Sequence, residues 1–434
     1  MRESNVVALG WRLLYSALFY LASPFLVLRL WLKGRTNPAY RRRWRERFGL
    51  QDYAEARKGG VWLHAVSVGE TEAAAPLLNA MRAEYPGIPM LVTTTTPTGS
   101  ARVTALFGDS VQHVYLPYDL PDAVQRFMEG YRPRLAVFME TEIWPNLFAG
   151  CAARNVPLVI VNARLSERSC KGYRRLAVLV SATLSAVHAI AAQTAEDAAR
   201  FASLGVAAER LHVLGNLKFD RAPAPGLQEQ GQALRRQLFG NRPVWIAAST
   251  HPGEEEQILA VQQKLLASHP DVLLILAPRH PERAVQVVGL LKNDGMRQVR
   301  RSDNQVCPAD CPVYLLDSLG ELNLFYTAAD IAFVGGSLVP VGGHNVLEPA
   351  VLGLPVLFGP HMSNFADIAQ RLLQAESAIQ VQNGDQLQAQ LERLWQNAPA
   401  RQRLGARASE FVVKNQGALQ RHMALLKRLL ATLK

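Results

Sequence analysis

Cysteine is scarce in this chain, and recognisable metal-ligand patterns are scarcer. Its 434 residues hold four cysteines, Cys151, Cys170, Cys307 and Cys311. They form no disulfide framework, and Cys307-Pro-Ala-Asp-Cys311 has no second pair to complete a zinc site. Reduced structural thiols are the expectation, which fits the cytoplasm. There is no Asp-x-Asp, no clustering of His with Cys and no His-Glu-x-x-His. Nothing in the sequence therefore asks for a metal, and no cofactor is expected. Internal repeats and low-complexity tracts are also lacking, which excludes repeat architectures.

What is present begins with charge. The formal net charge is +11, yet residues 1–50 carry ten basic residues against Glu3 and Glu46, leaving only +3 for the rest of the chain. A nucleic-acid binder would spread such an excess over its folded surface, so no nucleic-acid partner is expected. The excess instead sits beside an apolar run from Leu13 to Leu32, interrupted by Pro24 and Arg29. A bilayer span needs about 20 apolar residues, so the run is at the short end. Its basic cluster follows rather than precedes it and no small-residue cleavage site is present, which argues against a secretory signal. Lys33 to Arg47 would stay on the cytoplasmic side, and Trp11, Tyr15, Tyr20 and Trp31 suit the interfaces. Two forms of anchorage stay open: a single span, or a helix lying in the inner leaflet with Arg41, Arg42 and Arg43 on anionic headgroups.

Beyond the basic stretch, short apolar runs alternate with helical patterns. Val61–Val66, Met90–Thr94, His113–Leu116, Leu135–Met139, Leu158–Val161, Ala189–Ala192 and Leu211–Leu214 predict seven strands of a first half. Val244–Ala248, Val272–Ala277, Val313–Leu316, Ile331–Val334 and Pro355–Phe358 predict five of a second. The alternation implies parallel sheets covered on both faces. Asp220 to Gly226 has linker composition, and a helix is predicted from Gln228 to Phe239. The expected organisation is an anchor (1–35), a first Rossmann-like acceptor-binding domain (36–220), a linker (221–241), a second Rossmann-like nucleotide-binding domain (242–400) and a C-terminal helix (401–434) that packs back on the first domain. Ligand sites belong at the carboxyl ends of the strands. If those ends face each other, a central cleft results, the GT-B arrangement of glycosyltransferases.

The segment Gly335-Gly336-Ser337-Leu338-Val339-Pro340-Val341-Gly342-Gly343-His344-Asn345-Val346-Leu347-Glu348 lies between a predicted strand and a short helix. Its glycine pairs let backbone approach a ligand closely, and free N–H groups with a helix N-terminus favour an anion, most simply a phosphate. The spacing fits neither a dinucleotide fingerprint nor a P-loop. Glu348 suits ribose hydroxyls, or caps the helix together with Asn345.

Other strand exits carry reactive groups. Glu70, in His64-Ala65-Val66-Ser67-Val68-Gly69-Glu70, is placed to take a proton from a hydroxyl, although Ser67-x-x-Glu70 is also a capping box. Glu140 and Glu142 follow the strand Leu135–Met139. Thr93 to Ser100 suits sugar hydroxyls or helix capping. Arg164 and Arg168 suit carboxylate or phosphate contacts, or simply a solvated face. Lys218 is placed to neutralise a leaving phosphate. Arg279 is a candidate phosphate ligand, and Ser249–Glu255 and Ala277–Pro281 would line the same wall as the glycine segment.

Taken together, these motifs resemble the 3-deoxy-D-manno-octulosonic acid (Kdo) transferases of Gram-negative lipopolysaccharide assembly. The resemblance covers nearly the whole chain, including Asn37–Arg41, His64–Thr71, Thr95–Ser100, Tyr115–Asp119, Met139–Asn146, Asn162–Ser169, Lys218–Asp220, Pro278–Arg283 and Gly335–Glu348. It implies an α/β GT-B fold of two doubly wound domains with an N-terminal membrane anchor helix. The implied activity is inverting, metal-independent transfer of Kdo from CMP-Kdo to lipid IVA, the tetraacyldisaccharide lipid A precursor. The implied location is the cytoplasmic face of the inner membrane, among its lipids. The resemblance makes Glu70 the catalytic base and Glu140 and Lys218 the transition-state stabilisers. It gives CMP to Pro278-Arg279, to Gly320-Glu321-Leu322 and to Asn345-Val346-Leu347-Glu348, with valine at 346 where some members have proline. A GT-B enzyme using a UDP-sugar on another lipid, or a membrane-bound binding protein without turnover, are the alternatives.

Overall fold

In the computed structural model, residues 2–220 and 223–432 are described; the predicted linker residues Arg221 and Ala222 lie outside them, as do Met1, Leu433 and Lys434. The chain forms two compact units, Met1–Arg221 with Gln416–Lys434, and Ala222–Asn415.

The first unit opens with the helix Arg2–Thr36, which runs on through Pro24. Proline at 24 removes the donor that the Tyr20 carbonyl would otherwise receive. The Ser23 hydroxyl donates to that carbonyl instead, at 2.8 Å. Seven strands follow: β1 (Val61–His64), β2 (Met90–Thr94), β3 (Gln112–Tyr115), β4 (Leu135–Met139), β5 (Leu158–Ala163), β6 (Ala189–Ala192) and β7 (Leu211–Val213). They pair in the order β3-β2-β1-β4-β5-β6-β7, every pair parallel. Because successive side chains alternate faces, Val61 and Leu63 enter one core and Trp62 the other, and Val137 and Phe138 divide likewise. Both faces are covered, so the inner strands are buried throughout.

The second unit begins with the helix Leu227–Leu238, tied down by a bidentate bond from Arg235 to Asp330 (both 2.9 Å). Most of the span read as linker is therefore part of this unit. Its strands are β8 (Val244–Thr250), β9 (Leu273–Pro278), β10 (Gln298–Arg300), β11 (Val313–Leu315), β12 (Ile331–Val334), β13 (Val356–Phe358) and β14 (Ile379–Gln380). Their order is β10-β11-β9-β8-β12-β13-β14, again all parallel. β10 and β14, which the sequence reading missed, are edge strands of three and two residues without a buried run.

The C-terminal region differs from the single returning helix expected from residue 401. Ala398–Lys414 packs within the second unit, and only Ala418–Ala431 joins the first. Leu425, Leu426 and Leu430 of that last helix enter the core on the Val61 face of the first sheet. The start of the helix is also tied down, because the Asp220 carboxylate accepts from the otherwise unpaired Gly417 and Leu419 N–H, each at 2.5 Å. Asp220→Ala is expected to cost about 1–2 kcal/mol of first-unit stability, read as a lower urea midpoint. An unchanged midpoint would show that the apolar contacts alone hold the helix.

Candidate active site

In doubly wound sheets the strand order reverses at a switch point, and the strand ends there diverge to leave room for a ligand. The first sheet reverses between β1 and β4, the second between β8 and β12. Some of the residues singled out in the sequence lie at these two places: Glu70 and Glu140 follow β1 and β4, and the glycine segment follows β12.

After β1 the backbone turns at Ser67 into the helix Val68–Glu84. Ser67 caps the helix, but the reciprocal bond of a capping box is displaced by one residue: Glu70 N–H donates to Ser67 Oγ (3.4 Å), while the Glu70 carboxyl accepts from Val66 N–H at 2.8 Å. Capping does not use up Glu70 chemically. Burial raises its pKa to about 8, opposed by the Val66 N–H and reinforced by the charges of Glu140 and Glu142. Glu142 is raised to about 7 by burial and by Glu140, against the Trp144 indole bond. Three carboxyls from the ends of β1 and β4 thus share one neighbourhood. Lys218 answers them, with Nζ 3.7 Å from Glu140 Oε1. His64 lies beneath, fully buried and held neutral by desolvation that takes its pKa to about 3.

Backbone strain marks the same edge. Glu140 (φ 55°), just past β4, and Asn162 (φ 52°), the penultimate residue of β5, both have positive φ. Such geometry persists only where surroundings over-determine it. For Asn162 the surroundings are plain: its Oδ1 accepts from Leu217 N–H (3.0 Å), its carbonyl from the Gln193 amide (2.9 Å), and its N–H donates to His422 Nε2 (3.1 Å). Asn216 Oδ1 accepts from Lys218 N–H at 2.9 Å. The turn that carries Lys218 is therefore positioned from β5 and, through His422, from the C-terminal helix. Neither Asn162 as a brace nor His422 was legible beforehand, since the contacting partners lie 55 and 260 residues away. Arg164 is half-buried just past β5, and Arg168 is exposed on the helix Glu167–Arg174.

In the second unit the glycine segment follows β12, but its amides do not await an anion. The Glu254 side chain, buried at the exit of β8, accepts from Gly336 N–H (2.6 Å), Ser337 N–H (3.0 Å) and Leu338 N–H (2.9 Å). The expectation that these groups face a phosphate is thus corrected: an internal carboxylate already satisfies them. Glycine is required for that embrace, because a Cβ on Gly335 would lie 2.8 Å from both Glu254 Oε2 and the Ser249 carbonyl. Gly336 has φ 65°, and Ser249, whose carbonyl crowds Gly335, has φ 58°. The helix after the segment, Leu347–Val351, is a single turn. Asn345 Oδ1 caps it at Leu347 N–H (3.1 Å), and Asn345 Nδ2 donates to Glu348 (3.0 Å).

What the braced segment presents is an imidazole pair. His344 Nε2 lies 2.8 Å from His251 Nε2, with the rings nearly coplanar in stacking and His280 set edgewise to His251. One ring must donate and the other accept, so the pair shares a proton. Burial lowers both pKa values, His344 to about 4, and Arg279 adds to the shift. Pro278 closes β9, and exposed Arg279 is fixed by its N–H to the Thr250 carbonyl (3.0 Å). Gly320-Glu321-Leu322 follows β11, where Glu321 forms a bidentate pair with Arg301 (2.8 and 3.0 Å) that lowers its pKa.

Two parallel seven-stranded Rossmann-like units, each with charged and strained groups at its switch point, define the GT-B class. MurG from Acinetobacter baumannii shares this fold, with a TM-score of 0.56 at 12% identity over 85% of this chain and 99% of that one. Sequence narrows the class. Residues 42–221 match the family profile described as 3-Deoxy-D-manno-octulosonic-acid transferase (kdotransferase). The 3-deoxy-D-manno-octulosonic acid transferase of Haemophilus influenzae is 43% identical over 419 residues, 96% of this chain and 98% of that protein. The C-terminal CMP-Kdo binding domain of WaaA from Acinetobacter baumannii is 37% identical, covering 43% of this chain and 98% of that one, with a TM-score of 0.42. The chain belongs to the 3-deoxy-D-manno-octulosonic acid transferase family of glycosyltransferases.

Proposed function

We propose that this protein transfers Kdo from CMP-Kdo to lipid IVA at the cytoplasmic face of the inner membrane, by a single inverting displacement without a metal. The observation that carries the reading is the pairing of acidic and cationic groups at the first switch point, Glu70 with Glu140 and Lys218. In this reading an acceptor hydroxyl attacks the anomeric carbon of Kdo, and the bond to the CMP phosphate breaks with its electron pair. The hydroxyl proton passes to the Glu70 carboxylate. Attack opposite the leaving group inverts the anomeric centre. A base with a pKa raised to about 8 accepts a proton near neutrality far more readily than an ordinary carboxylate.

Lys218 and Glu140 act as a pair: the ammonium offsets developing negative charge, and the carboxylate holds the ammonium in place. Arg279, Asn345 and Glu348 bind CMP, with the backbone of Pro278, Val346 and Leu347 and the Gly320-Glu321-Leu322 turn. Because the Glu321 carboxylate is engaged by Arg301, that turn contributes main-chain groups. Arg164 and Arg168 are reserved for the carboxylate of Kdo or the acceptor phosphates. The helix Val6–Thr36 is long and apolar enough to cross a membrane, with mean hydropathy 1.6 and little of it buried. It supplies attachment to the surface where a lipid acceptor resides.

The pH dependence follows from the sign of the shift. Glu70 works as the deprotonated form, so kcat/KM should climb about tenfold per pH unit well below 8 and level off above it. A profile flat between about pH 6 and 9 would remove Glu70 as the base. Substituting UDP-sugars for CMP-Kdo should give no product.

A further inference from the structure

The membrane attachment proposed above leaves open how the N-terminal helix meets the bilayer, and the packing of that helix decides it. Residues Ala8, Arg12, Ser16, Phe19, Ser23, Leu26, Leu30 and Gly34 are among its sheltered positions, repeating every three or four residues. Such a repeat is one continuous stripe along an α-helix, roughly 39 Å long at 1.5 Å per residue. Polar contacts fasten it to the first unit. The Asn146 amide donates to Ser16 Oγ (3.0 Å), Tyr20 Oη donates to Asp122 (2.5 Å), and the Phe19 ring meets Tyr118. The helix also packs on Ala177–Leu184.

The exposed face of this helix is unlike that of an ordinary surface helix. Its sheltered stripe mixes Arg12, Ser16, Ser23 and Gly34 with apolar residues, while Leu13, Leu14, Leu18, Leu21, Phe25 and Leu28 face outward, each at least half exposed. Apolar groups on the outer face need a partner other than the protein. A perpendicular span would place the fastened middle of the helix at the bilayer centre. It would carry the exposed Asp122–Arg126 ion pair (2.7 Å) down with it, at heavy desolvation cost. A helix lying flat incurs no such cost.

We infer that the N-terminal helix does not span: it lies in the plane of an anionic phospholipid surface, clasped to the first unit, with Leu176 and Val178 as a second apolar contact. Both residues are about half exposed, at the first turn of the helix that packs on the N-terminal helix. Cations flank the two apolar patches. Lys171, Arg174 and Arg175 are exposed just before Leu176, and so are Arg35 in the last turn of the N-terminal helix and Arg41 and Arg42 just beyond it. Charge complementarity to acidic headgroups selects a lipid surface over an apolar protein partner.

The full chain is tested in two ways. An epitope placed before Met1 is probed with protease in sealed inverted inner-membrane vesicles, which expose the cytoplasmic face. Cleavage without detergent is expected; cleavage only after detergent, meaning the N-terminus has crossed, overturns the inference. Second, L176E/V178E protein is floated with phosphatidylethanolamine–phosphatidylglycerol vesicles. Binding should weaken at least about tenfold, with CMP affinity of the second unit unchanged. Undiminished binding, or self-association through the helix in place of lipid binding, overturns it. Kdo transfer measured with a detergent-dispersed acceptor is independent of both results, so failure of this inference and failure of the assigned activity are distinguishable.

Discussion

Glu70→Ala should abolish Kdo transfer, with kcat reduced by about 10²–10⁴-fold, the range typical for loss of a general base. CMP binding should stay near normal, because Glu70 belongs to the first unit and the nucleotide is assigned to the second. The size of the effect follows from the site itself. Glu70 is the carboxyl that burial and two neighbouring acids push to about 8, and its Val66 contact holds one oxygen in place. Glu70→Gln keeps the cap but not the proton acceptor, so it separates the roles. If capping were the whole function, Gln would restore activity; as the base, Gln should be as inactive as Ala. Single-turnover rates with saturating CMP-Kdo make the comparison, and full activity in either variant would end the assignment.

Glu254→Ala is the second change with a large expected effect, and it acts on stability before chemistry. Removing the carboxylate strands three main-chain donors, Gly336, Ser337 and Leu338 N–H, in a buried setting. Each stranded buried donor costs about 1–3 kcal/mol, so a total of roughly 3–5 kcal/mol is expected after local relaxation. The melting temperature should fall accordingly, and CMP affinity should drop with it as the segment carrying His344 and Asn345 loses its shape. Calorimetric melting and CMP titration on the same sample check both. Unaltered melting would mean that water or a shifted backbone replaces the carboxylate without loss.

The fold was largely readable because the driving signals are local. Buried parallel strands announce themselves as short apolar runs, and all seven of the first sheet were located that way. β10 and β14 escaped because Gln298-Val299-Arg300 and Ile379-Gln380 each offer a single apolar residue, whereas the equally short edge strand β7 runs on as Leu211-His212-Val213-Leu214. Position at strand exits also picked out Glu70, Glu140 and Lys218, which the fold brings to one end of the first sheet. The role of the glycine segment was read only in part. Its glycines do allow close approach, but the group that approaches is Glu254, 82 residues earlier, and nothing local signals that contact. The same holds for His422 and Asn162, which brace the Lys218 turn across 260 residues of chain. Hydropathy identified the N-terminal helix, yet it weighs residues without regard to facing. The mixed stripe turned toward the protein, and the apolar face left outside it, emerge only once neighbours are known.

The most direct test of the account is to incubate the purified full-length protein with CMP-Kdo and lipid IVA and follow the lipid by mass spectrometry. The expected product is lipid IVA heavier by one or more Kdo residues, formed with release of CMP and without added metal. Recovery of both substrates intact, alongside turnover of a UDP-sugar on the same lipid, would contradict it.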